Sequence, residues 1–136
     1  MPFRELPPAW RLPLLLMGMA SLLIGVLGGL ARLAVDVPLF AQVRAGGHGA
    51  LMIAGFFGTV ICLERAVALH RLWPYLAPLG AALGGIAFLA QGPWWLAPAL
   101  FTLAGACFVA ASLTDLLDAR RTARWNRPAD SRASGR

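Results

Sequence analysis

The residues best equipped for chemistry lie in one segment, GGHGALMIAGFFGTVICLERAVALH, residues 46–70. On a helix of 3.6 residues per turn, His48, Met52, Gly55, Thr59 and Cys62 fall on one stripe. That stripe combines an imidazole nitrogen, a thioether, a gap, a hydroxyl and a thiol. A neutral imidazole is a good iron ligand, and Gly47, Gly49 and Gly55 would let a flat macrocycle approach the backbone. His48 is therefore a candidate axial ligand, through iron, for haem b, or a contact for a quinone headgroup. Met52, Gly55 and Thr59 would line the pocket. The plainer reading makes His48 an interfacial histidine bonded to the backbone of the preceding loop. Met52 cannot be the opposite axial ligand, because residues four apart project to the same side, and alone it would fill a core.

Glu64 lies on nearly the opposite side of this helix and about 24 Å deeper by helical rise, so it cannot share a site with His48. A carboxylate near a helix C-terminus is opposed by the dipole and needs a compensating cation. Arg71 is one candidate; Arg11, Arg120 and Arg121 from neighbouring helix ends are others. With Arg65, these groups read as an interfacial ion pair that fixes packing, a proton entry point, or a lipid-headgroup contact. His70 suits the C-terminal end of the same helix. Arg32 and Asp36, four apart, can pair with each other, or Arg32 can hold a haem propionate. Cys62 and Cys107 lie level in depth and read as buried free thiols, with a disulfide or a paired metal site as the other reading.

The run His48-x-x-x-Met52-Ile53 resembles the stretch bearing a low-spin haem ligand in subunit I of haem–copper oxidases. It is also similar to the His-x-Met-x-x-Gly-Phe element of the NnrS family of haem- and copper-containing membrane proteins. The corresponding pieces here are His48 and Gly55-Phe56, with Met52 displaced by two positions. The likeness covers about 20 of 136 residues, and it implies that His48 ligates haem b. Those families have more spans and more histidines; this chain has only His70 besides His48. A six-coordinate haem would thus need a ligand from another chain, which leaves a haem shared across an oligomer or a five-coordinate one.

Four apolar runs must position these groups: residues 12–34, 47–69, 75–91 and 94–116, each roughly the ~20 residues that cross a bilayer. A hydrophobic content of 59% and mean hydropathy of +0.69 exceed what a soluble domain carries. The third and fourth runs lack the polar face a soluble bundle requires. The expected fold is all-α, a four-transmembrane-helix bundle over 1–118 with a basic, partly disordered tail over 119–136. The first run is too long for a cleavable signal and reads as a retained span. Gly25 with Gly29, and Gly80 with Gly84 and Gly85, would let helices approach closely. Gln91-Gly92-Pro93 is so short that the last two spans form an antiparallel hairpin. Asp115 and Asp118 with Arg121 and Arg124 should carry the last helix onward through pairs at helical spacing.

The chain has twelve arginines and no lysine. With alternating spans, all but Arg32 and Arg44 fall on one side, so both termini are expected in the cytoplasm and the chain in the inner membrane, multi-pass. The net charge of +6 is then a matter of topology and anionic lipid, not nucleic acid. No Ser/His/Asp set, HExxH or paired carboxylates can be assembled at one depth, which sets hydrolytic enzymes aside. The expected role is an accessory or structural subunit of a membrane complex, as a homo-oligomer or beside other subunits, associating with haem b through His48. The alternative is a small transporter or channel-forming oligomer without cofactor, weakened by the interfacial position of every charge.

Overall fold

The computed structural model describes residues 6–125, all helix and connecting turns with no strand among them. The residues 126–136, expected as the end of the tail, and Arg4 lie outside the described residues, as do Arg127, Arg132 and Arg136. Helix α1 spans Pro8–Arg32. A four-residue helix, α2, Leu39–Gln42, follows. Helix α3 runs continuously over Ala45–Ala68, α4 over Trp73–Leu89 and α5 over Leu96–Trp125.

Helix α1 begins earlier than its apolar run. Pro8 is suited to a first helical turn, where a backbone N–H has no partner anyway. Pro13 lies five residues on and removes only one hydrogen bond near the end. Pro98 occupies the first turn of α5 for the same reason. That helix continues unbroken through Asp115, Asp118 and Arg121 to Trp125, so the tail begins as ordered helix.

Three helices, α1, α3 and α5, are long and apolar enough to cross a membrane, and α4 is shorter. At 1.5 Å per residue α4 spans about 25 Å, against a hydrocarbon core of about 30 Å. It is also the most enclosed element. Ala77, Gly80, Ala81, Ala82, Gly84 and Gly85 are all buried, because α4 packs against α1, α3 and α5 at once. Small residues are what permit three neighbours around one helix. A Cβ added at Gly80 would lie 3.2 Å from the Ala104 methyl, and one at Gly84 2.7 Å from the Phe101 ring. Helices α4 and α5 pack as an antiparallel pair, and the contact of α1 with α3 is the most extensive in the molecule.

The connections use one device three times. Ala34, His70 and Gln91 follow the ends of α1, α3 and α4, each with positive φ. After α1, the amide of Val35 donates to Leu30 O and that of Ala34 to Ala31 O; after α4, Gly92 donates to Ala87 O and Gln91 to Phe88 O. These are Schellman turns with a non-glycine residue in the left-handed position.

At the end of the bundle where α1 begins and α3 stops, Leu14, Leu63, Ala66, Tyr75 and Ala82 form a buried cluster. At the other end Arg44 closes the connection. Its Nε donates to Leu89 O at 2.9 Å, its Nη2 shares that carbonyl, and its Nη1 donates to Phe40 O at 2.8 Å. A guanidinium on the final carbonyl of α4 satisfies an unpaired acceptor and complements the helix dipole.

Candidate functional site

The histidine-bearing stripe of α3 lies against α1. Four layers define the seam, and in each a small residue faces a larger one. His48 sits over Gly28 and Gly29: a Cβ at Gly28 would be 3.3 Å from His48 Cβ, and one at Gly29 3.6 Å from its Cδ2. Met52 covers Gly25, where a Cβ would approach its Cγ to 2.8 Å. Gly55 receives Ser21, with a Cβ at Gly55 falling 2.9 Å from Ser21 Cβ. Thr59 lies on Gly18, 3.4 Å from a Cβ placed there. The alternation of glycine between the two helices brings their backbones close along the whole stripe.

The polar atoms of this seam are committed to backbone. His48 Nδ1 is 2.9 Å from Ala45 O, a backbone bond as in the plainer sequence reading, though to the first turn of α3 itself and not to the preceding loop. Thr59 Oγ1 donates to Gly55 O at 2.6 Å, and Ser21 Oγ donates to Met17 O at 3.2 Å. Ser21 and Thr59 are fully buried. Gly85 of α4 closes the same layer, since a Cβ there would collide with Ser21 Oγ. Three helices therefore meet at Ser21, Gly55 and Gly85.

Between Leu51 and Phe57 the turns of α3 widen to the i→i+5 pattern of a π-helix. Through these turns the buried residues recur every four positions, as Leu51, Gly55 and Thr59. This removes Cys62 from the stripe. Instead it lines an apolar groove between α3 and α5 with Phe57, Gly58, Ala81, Phe101 and Phe108. Cys62 and Cys107 are free thiols. The glycines expected to admit a macrocycle divide as well: Gly55 is filled by Ser21, Gly47 is covered by the Phe88 ring, and Gly49 is open.

The charged candidates separate in the same way. Arg32 is exposed at the end of α1 and makes no ion pair with Asp36. Helix α1 stops at Arg32, and the left-handed turn at Ala34 takes Asp36 out of helical register. Arg65 pairs across the bundle with Asp115 at 2.7 Å, and Arg71 pairs with Asp118 at 3.0 Å. Both acids thus bind α3 and its following loop to α5, in place of the pairs within α5 that their spacing suggested. Glu64 joins neither Arg65 nor Arg71 and is exposed between α1 and α3. Two features carried little signal in the sequence: the carbonyl-binding role of Arg44 and the π turns of α3. Among the described residues no group of three or more His, Cys, Asp or Glu side chains is placed to hold a metal ion.

A family model described as a domain of unknown function, DUF8744, matches residues 11–126. The chain belongs to that family. The DUF8744 match covers the whole bundle, from the first turns of α1 past the last turn of α5, so the seam and both ion pairs fall within the family's domain. No curated protein and no solved structure matches the chain.

Proposed function

We propose that this protein is a multi-pass scaffold subunit of the inner membrane that catalyses no reaction of its own. In this reading four helices cross the bilayer, both termini lie in the cytoplasm, and the bundle associates with copies of itself or with other membrane subunits. One observation carries it. Polar side chains within the bundle and at its ends are spent on architecture: His48, Ser21 and Thr59 on backbone carbonyls, Arg44 on the end of α4, Arg65 and Arg71 on Asp115 and Asp118. The arginine distribution supports the orientation. Enclosure by three neighbours lets α4 cross although it is short, since it meets protein where a solitary helix would meet lipid. Association is supported by Thr102, Ala106 and Ala110, which lie exposed one turn apart along α5. Rows of small residues are how helices pair where lipid removes the hydrophobic drive.

Cross-linking in native membranes tests this role. A discrete higher-mass species is expected from the wild type and its loss from Thr102→Leu/Ala106→Leu. A wild type that stays monomeric and brings no partner through mild-detergent purification overturns it. For the orientation, a reporter active only in the periplasm should work in the 36–46 connection and fail at the C-terminus; the reverse pattern contradicts it.

A second reading, haem b on His48, has one specific support. The bond from Nδ1 to Ala45 O orients the ring and leaves Nε2 with the lone pair, as in ligand histidines. Absorption spectra of oxidised and dithionite-reduced protein decide it. A Soret band and a sharp reduced α-band that vanish in His48→Ala establish the haem; a colourless wild type from haem-replete cells retires it.

A further inference from the structure

At the end of the bundle opposite His48, a groove of about 440 Å³ opens between the start of α1 and the last turns of α3. Its walls are apolar: Leu15 from α1, with Val60, Leu63 and Val67 from α3. Its rim carries two opposite charges, Arg11 and Glu64. Arg11 is held there by its Nε, which donates to Leu6 O at 2.7 Å.

Glu64 is the unexplained member. It stands four residues before the end of α3, where the helix dipole disfavours a carboxylate. The arginines nearest in sequence are turned elsewhere, Arg65 to Asp115 and Arg71 to Asp118. Among the described residues Glu64 has no ion-pair partner. An acid so placed, at the headgroup level of a bundle end and open to the bilayer, is accessible to a cation from outside the chain.

We propose that this groove binds an aminophospholipid, with the ethanolamine ammonium on Glu64 and an acyl chain along Leu15 and Val60. The inference rests on the membrane reading above. An ammonium complements the Glu64 carboxylate, whereas an anionic headgroup with no amine brings a second negative charge to it. A primary ammonium donates charge-assisted hydrogen bonds to a carboxylate; a quaternary choline has no N–H to give. Ethanolamine is therefore the zwitterionic headgroup that can bond Glu64.

Native mass spectrometry of the full chain, titrated with phosphatidylethanolamine, phosphatidylcholine or phosphatidylglycerol, tests it. The wild type should retain one phosphatidylethanolamine in preference to the other two. Glu64→Gln should lower that preference roughly tenfold, the scale of one lost charge-assisted contact. Glu64→Asp should keep part of it, and Arg65→Gln, a charge change at the same bundle end outside the groove, should leave it intact. Equal retention of all three lipids by the wild type overturns the proposal, as does unchanged selectivity in Glu64→Gln. Carbonate extraction of the same membranes reads the membrane assignment separately: protein that resists extraction but shows no lipid preference fails only the groove.

Discussion

Helix α3 has two faces of opposite character. One carries His48, Met52, Gly55 and Thr59 and is pressed against α1; the other carries Ile53, Phe57 and Ile61. Thr59 is 0% exposed and Ile53 is 70% exposed. His48, Gly55 and Thr59 are on the covered face and Ile53, Phe57 and Ile61 on the open one, the reverse of a soluble helix. In hydrocarbon, a hydroxyl or imidazole is tolerated where a neighbouring helix covers it and a carbonyl receives its proton. A stripe that looks like a ligand set is, in this setting, also what a close helix seam looks like.

If the seam is a packed interface, its glycines should be the most sensitive positions in the molecule. Gly55→Leu must displace Ser21, and the Gly85 backbone lies 3.7 Å behind. We expect a loss of about 3 kcal/mol, read as aggregation or a collapsed melting temperature in detergent. Ile53→Ala, on the open face two residues away, should stay within about 0.5 kcal/mol. Equal effects from the two would erase the distinction between the faces.

Away from the seam, Arg44→Met removes bonds to two otherwise unpaired carbonyls and should cost about 2 kcal/mol, measured by thermal unfolding in detergent. Arg65→Ala breaks a pair whose side chains are 35% and 47% exposed. Solvent screening limits that loss to below about 1 kcal/mol, and Arg65→Asp with Asp115→Arg should recover part of it. The smallest expected change is a gain. Ala34→Gly relieves a residue at φ 58° and should stabilise by about 0.5 kcal/mol, the left-handed penalty less the added freedom of the unfolded chain.

The helices were legible because long apolar runs have few other solutions, and the glycine stripes of α1 and α4 announced close packing before any partner was known. The Gln91-Gly92-Pro93 hairpin followed from its length. The helix boundaries shifted at prolines that a first turn accommodates. What could not be read was which helix each stripe meets. Periodicity grouped Cys62 with His48, but the π turns over Leu51–Phe57 rotate it toward α5, and nothing local in LMIAGFF marks that widening. Likewise Asp118 has Arg121 three residues on, yet Arg65 and Arg71 reach Asp115 and Asp118 from 50 and 47 residues away. Composition fixes the number of charges, whereas packing decides the pairs.

The seam itself is tested most directly by an engineered cross-link. A Cβ at Gly18 would stand 3.4 Å from Thr59 Cβ, close to the spacing of a disulfide. In a Cys62→Ala/Cys107→Ala background, Gly18→Cys with Thr59→Cys should join within the chain when membranes are treated with a membrane-permeant oxidant. Gly18→Cys with Ile61→Cys, on the open face of α3, should not. Failure of the first pair to cross-link, or equal cross-linking of both, would contradict the placement of the histidine stripe against α1.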